Sequence, residues 1–526
     1  MELIVDGLLI PVEKDGPDEY LKAAARKLNI PEEGLSAGRM LSKSLETGDK
    51  QQFYYKISLV VSVPSGYKNQ ENFPLYAEKP APLHKSAPAG HRPVIIGFGP
   101  AGMFAALELI EYGLKPLIFE RGKKLEERHM DVQRFISDRT LCPESNIQFG
   151  EGGAGSYSDG KLFSRRNNSV YVSKVLDTFI KFGAPAEIGY VGKPHLGTEV
   201  LRGIVANIRN YILERGGEIH YGAKMTDIII FEGKASGVII NDSARYLCSS
   251  LYLAIGHSAR DTFELLHNKS VSLEAKPISV GVRIEHPAAT INLIRYGDKY
   301  RDFSGIGAAT YSFNCTNRKT GRGAYTFCMC PGGEVVNASS EEGGLALNGM
   351  SYSARDSAFS NSAIAVTCRA ADYGSEHPLA GIEFQKDIER KAFAAGGGNW
   401  KVPAQNLRDF LKGKTSAELN DNSCKMGTQS ANVSAIFPGF IGETLRAAFI
   451  QWKTECPLFA GDDAILLGPE TRTSSPVRVV RGGNFESLNI RNLYPIGEGS
   501  GYSGGITSSA ADAIKAVEAA LGACPG

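Results

Sequence analysis

Apolar and polar positions divide the chain into stretches with different periods. Residues 3–11 and 53–63 alternate and are rich in Ile, Val and Tyr, which predicts two strands. Between them, residues 18–28 place Leu21, Ala24, Ala25 and Leu28 on one helical face. These elements predict a small α+β unit over 1–78. Residues 79–90 are rich in Pro and Ala and read as a linker. From Arg92 the pattern becomes βαβ. Val94, Ile95 and Ile96 form a short, wholly apolar run, as expected of a buried parallel strand. An apolar helix follows to about Tyr112, Gly113 ends it, and residues 115–119 form a second strand. Further strands are expected at 220–231, 235–241 and 249–255. The stretch 271–480 is less regular, and 493–521 returns to strand, Gly-rich turn and Ala-rich helix.

Composition narrows the choices. The chain has 526 residues and a formal net charge of +1, so no global field draws it to nucleic acid or an anionic membrane. Residues 93–110 approach the length of a membrane span, but Gly97, Gly99, Pro100, Gly102 and Glu108 interrupt them. No signal peptide is legible at the N-terminus. The nine cysteines are scattered, with no metal-ligand spacing. A reducing cytoplasm is the expected compartment. No metal, nucleic acid or membrane span is expected.

The glycines mark the chemistry. Gly97, Gly99 and Gly102 form G-x-G-x-x-G, with Pro100 and Ala101 between. The first allows a tight turn, the second lets backbone approach a pyrophosphate, and the third lets helix pack on strand. The pyrophosphate then meets the helix N-terminus. Glu120 stands at the tip of the second strand, 18 residues after Gly102, where a carboxylate accepts from a ribose diol. Arg121 follows it, yet Glu120 would repel a 2′-phosphate. Two more segments look like loops around an extended cofactor. One is 151–162, with Gly152, Gly153, Ser158 and Lys161. The other is 493–512, with Gly497, Glu498, Gly505 and Ile506. Together they favour FAD over NAD. Only one fingerprint is present, since the run at Gly305 and Gly307 lacks a third glycine. A dedicated NAD(P)H domain is therefore not expected.

On these residues the chain resembles the glutathione-reductase-type flavoprotein superfamily. That resemblance implies that Gly497-Glu498 holds the ribityl chain, with Glu in place of Asp. It also implies that Ala254-Ile255-Gly256 is the turn beside the cofactor, and that backbone at Lys224 and Met225 meets adenine. Segments 151–162, 327–333, 348–355, 470–478 and 497–506 are similar to an uncharacterised bacterial family of FAD-dependent dehydrogenases, also called NAD(FAD)-utilising dehydrogenases. This implies FAD and a large inserted region. The expected fold class is α/β: a Rossmann-type FAD-binding domain from 91–270 and 481–526, an inserted α+β substrate domain at 271–480, and the small N-terminal α+β domain.

A flavin brings its own hydride chemistry, so no catalytic triad is required. Weak catalytic candidates are Cys330 and Arg472. Strand alternation places the thiols of Cys328 and Cys330 on one face. Glu470, Arg472, Arg478 and Arg481 form a polar run suited to an anionic substrate or a reduced flavin, or else to a salt-bridged loop. Lone histidines such as His257 and His286 read as structural. The expected activity is an FAD-dependent oxidoreductase, dehydrogenase or reductase, on a small molecule. Its electron donor or acceptor is open, NAD(P)H included. The alternatives are a flavin-dependent nucleic-acid-modifying protein and a non-catalytic electron relay.

Overall fold

A computed structural model describes residues 1–77, 86, 90–162, 169–318 and 320–522. The expected linker at 79–90 lies outside them except for Ser86 and Gly90. Near the N-terminus, strands Glu2–Pro11 and Ser36–Glu46 flank Tyr54–Ser62 in an antiparallel sheet. Helix Pro17–Leu28 closes a core of Leu3, Val5, Ile57, Leu59 and Val61. Strand Ser36–Glu46 has no counterpart in the apolar pattern. None of its residues is buried and its apolar ones do not alternate, so it carries no strand pattern in the sequence. Its Lys43 backbone pairs with Tyr190 and Gly192, and buried Phe53 stacks on Tyr300 at 4.2 Å.

Five parallel strands form the second sheet, in the order Leu493–Pro495, Ser250–Leu253, Pro93–Ile96, Leu117–Phe119, Glu218–His220. The expected strand over 220–231 is two strands. Glu218–His220 ends the parallel sheet, and Met225–Phe231 starts a three-stranded antiparallel sheet with Lys234–Ile240 and Ala244–Leu247. Helices Pro100–Glu111 and Ile506–Ala520 pack together through Phe104, Ala105, Ala510, Ala513 and Ile514, all nearly inaccessible. Small residues on the C-terminal helix allow that approach. Among the described residues no helix is long and apolar enough to cross a membrane.

The irregular region 271–480 holds a seven-stranded sheet with Ile278–Pro287 at its centre, between Phe359–Cys368 and Ile465–Glu470. That central strand is buried at nine of its ten positions. One of them is Glu285, whose carboxylate accepts from the Ser423 N–H and hydroxyl. Burial pushes its pKa up to about 7, against those two bonds and Arg283. A raised carboxyl contributes stability at low pH that is lost as pH rises through about 4.5 to about 7. Glu285→Gln cannot ionise, so its stability relative to wild type will rise across that window by about 3 kcal/mol. Urea melts at both ends of the window check this. A difference that ignores pH would contradict it.

Candidate cofactor site

The phosphate turn follows strand Pro93–Ile96. Gly97 sits at φ +98°, and a Cβ there would lie 2.4 Å from the Ala254 carbonyl oxygen. A Cβ on Gly102 would lie 2.0 Å from the Gly97 oxygen, so helix Pro100–Glu111 starts in contact with the turn. No side chain caps this helix. Its first N–H groups and its dipole therefore remain available to an anion.

The other glycine-rich segments close on this turn. Gly152 N–H donates to the Phe98 oxygen, and a Cβ on Gly153 would lie 3.0 Å from the Gly99 Cα. A Cβ on Gly497 would meet the Ala101 methyl at 2.6 Å, and one on Gly499 would meet the Gly256 oxygen at 2.6 Å. Ile506, just after the exposed Gly505, lies against Gly155. Ala254 N–H donates to the Ile96 oxygen. Ser158 bends its loop by donating to the Gly155 oxygen and accepting from Gly160 N–H. Segments far apart in the chain thus converge on one place, where Gly97, Gly99, Pro100, Ala254, Gly256 and Glu498 stay partly accessible.

Glu120 and Glu498 have opposite surroundings. Glu120 is buried, accepting Phe98 N–H at 2.8 Å, Gly122 N–H at 2.8 Å and Gly150 N–H at 3.0 Å. A carboxylate offers about four acceptor positions, so one remains for a hydroxyl. The Glu498 carboxyl has no hydrogen-bond partner among the described residues, and burial pushes its pKa up to about 7 despite Lys276. An orphaned carboxyl in a groove of backbone fits a polyhydroxyl ligand.

At the far end, Arg121 lies over the Phe149 ring at 4.2 Å. It donates to Glu144 at 2.7 Å and to Asp261 at 2.9 and 3.0 Å. Lys224 pairs with the same two acids. Burial raises Asp261, but Arg121 and Lys224 outweigh it and bring its pKa to about 2. Arg121 is therefore committed to carboxylates, leaving no free guanidinium for a 2′-phosphate. The expected backbone contact at Lys224 and Met225 is occupied as well. Lys224 N–H donates to the Asn241 side chain and its oxygen accepts from Asn241 N–H, while Met225 is buried in a strand pair.

Arg128 carries no mark in the sequence that singles it out. It is fully buried and donates to the backbone oxygens of Asn146, Ile147 and Glu151, fixing the approach to the 151–162 loop. Its only local signal is an arginine on a helix that follows the Glu120 strand. Farther along the loop, Asp159 gathers Lys161 at 3.3 Å, Arg355 and Ser351, tying the loop to the 271–480 stretch.

The polar run at 470–481 does not converge. Glu470 pairs with Arg283, Arg472 with Glu389, Arg478 with Glu274 and Arg481 with Asp512. The chain leaves strand Ile465–Glu470, turns, and re-enters a strand at Val477–Val479, so each side chain finds a partner on a different element. Asp512 also accepts Gly497 N–H at 2.9 Å, so Arg481 steadies the Gly497 turn. Arg472 donates to Glu389, Ser258 and Ser340 and is not available as an anion ligand. The two thiols differ in exposure while meeting the same cations, Lys161 and Arg283. The strand pairing slips between Phe327 and Cys330, and Cys328 takes φ +43°. Cys328 is consequently exposed while Cys330 is buried beside Arg283, with its thiol pushed up by burial. His286 is buried, with Nε2 against the Phe459 oxygen.

Residues 277–473 match the family described as FAD-dependent protein, C-terminal domain-like. An "uncharacterized protein" of Clostridium beijerinckii is 42% identical over 508 residues, 94% of each chain. Among solved structures, a mutant of the halogenase PltM in complex with FAD is 11% identical, over 81% of this chain and 68% of that one, with a TM-score of 0.37. CtdE in complex with FAD is 11% identical, over 82% and 84%, with a TM-score of 0.30. The match at 277–473 makes this an FAD-dependent protein, and the glycine-lined groove fits that cofactor.

Proposed function

The chain belongs to one family with the Clostridium beijerinckii protein, and from that premise we propose that it is an FAD-dependent oxidoreductase acting on a small molecule. The observation that carries this reading is the closure of the 97–102, 151–162, 254–256 and 497–506 segments on one groove. On this reading 91–270 and 481–526 bind FAD, and 271–480 covers the substrate. Bound flavin supplies hydride transfer at its N5 atom. The chain supplies position and electrostatics. The uncapped helix at Pro100 and the backbone of Gly99 and Gly153 would hold the pyrophosphate. The remaining acceptor site of Glu120 would take a ribose hydroxyl, and Glu498 would take a ribityl hydroxyl.

Purified protein will be yellow, and heating will release FAD identifiable by chromatography. Anaerobic mixing with NADH or NADPH tests the donor through bleaching of the flavin's blue absorption band. A colourless protein that FAD does not reconstitute overturns the proposal. Bleaching by neither nucleotide removes NAD(P)H as the reductant.

A further inference from the structure

His257 reads from its sequence context as a structural histidine, yet its surroundings give it a defined orientation and one unused atom. It follows Gly256, the residue that abuts Gly499 in the cofactor groove. Its Nδ1 lies 2.8 Å from the Ser258 hydroxyl oxygen. Ser258 is nearly inaccessible and receives an Arg472 N–H at 3.3 Å. Arg472 is itself fixed, by two bonds to Glu389 at 3.0 and 2.9 Å and one to Ser340 at 2.6 Å.

This chain of bonds sets the proton positions. A guanidinium only donates, so the Ser258 oxygen is the acceptor in that bond. Its single proton then has two acceptors within reach: His257 Nδ1 at 2.8 Å and the Gln148 side-chain oxygen at 3.4 Å. The shorter bond takes it. Nδ1 is then an acceptor, and a neutral ring must carry its proton on Nε2. Burial, with Arg472 and Arg260, pushes the imidazole pKa down to about 3 against the pull of Glu389, so the ring is neutral under ordinary conditions. Nε2 has no hydrogen-bond partner among the described residues, and the residue stays partly accessible.

We propose that His257 is a neutral hydrogen-bond donor to bound FAD, held in its Nε2–H tautomer by the Glu389–Arg472–Ser258 chain. The proposal rests on FAD occupying the glycine-lined groove. Reduced flavin carries more negative charge on its heteroatoms than oxidised flavin, so a fixed donor favours the reduced form. Ser258 and Arg472 act through His257 and are positioning residues.

The test is the midpoint potential of the bound flavin in wild type, His257→Phe and Ser258→Ala. His257→Phe will weaken the preference for reduced flavin about tenfold, a fall of about 30 mV for a two-electron couple. Ser258→Ala frees Nδ1 and mixes the tautomers, for a loss of about threefold, or ~15 mV. His257→Gln restores a donor and will recover part of the shift. Yellow variants whose potentials match wild type overturn the proposal while leaving FAD binding intact. A wild type that binds no FAD overturns both. If His257→Phe releases its flavin, the Ser258→Ala potential decides alone.

Discussion

Gly102→Val will give a protein that no longer retains FAD and melts well below wild type. The cause is geometric. A Cβ at residue 102 would lie 2.0 Å from the Gly97 oxygen and 3.4 Å from an Ile95 methyl. Backbone cannot yield as a flexible side-chain tip can. Helix Pro100–Glu111 must withdraw from the strand, which moves both the phosphate turn and the N–H groups aimed at it. Overpacking of this kind costs about 3 kcal/mol, the upper end of the usual range. Withdrawing the helix N-terminus from the pyrophosphate weakens FAD on the order of 100-fold, roughly 2.8 kcal/mol. Gly203→Ala is the control. It lies within helix Gly197–Glu214, and nothing approaches its Cβ within 4 Å. That change will be neutral or stabilising by about 0.5–1 kcal/mol. Thermal melts and FAD titration measure both. Wild-type affinity in Gly102→Val would remove the fingerprint from the cofactor site.

Glu389→Leu is expected to have the other large effect. Glu389, on helix Ala380–Ala395, is buried and holds both Arg260 and Arg472. Removing it leaves two buried guanidinium groups short of their main counter-ion, a loss of about 3–5 kcal/mol. Burial raises the Glu389 carboxyl, but Arg260 and Arg472 outweigh it and hold it well below the usual carboxylate range. A depressed carboxyl contributes stability above its unfolded value, near pH ~4.3, and loses it as pH falls through the folded value. The gap between wild type and Glu389→Leu will therefore be full at neutral pH and narrow below about pH 4. Chemical denaturation across that range measures it. A gap that stays constant into acid contradicts the pairing.

The legible part of the site is its local part. Gly97, Gly102 and Glu120 are recognisable because the turn, the helix start and the strand tip need those residue types within one βαβ unit. The pairings that organise the rest span long separations. Nothing near Arg472 in the chain announces Glu389, and nothing near Asp159 announces Arg355. The run 470–481 looks like one cluster because its charges are close in sequence, whereas the fold sends each to a different partner. Cys328 and Cys330 differ in exposure for a related reason. A bulge depends on what the neighbouring strand requires, and alternation read from one strand cannot contain it. Strand Ser36–Glu46 is silent in the sequence because its backbone bonds, and not its side chains, make it a strand.

The order of the parallel sheet also bears on biosynthesis. Strand Leu493–Pro495 is the last to be made, yet it lies beside Ser250–Leu253 and delivers the Gly497 loop to the Ala101 methyl. At ~5–20 residues per second, roughly 20–80 s separate the emergence of Gly97 from that of Gly497 on the ribosome. From the emergence of Leu253 to that of Leu493 the edge of Ser250–Leu253 that will receive Leu493–Pro495 has no partner, and the cofactor site lacks a wall. A nascent chain stalled before residue 493 presents an open sheet edge of the kind that chaperones shield.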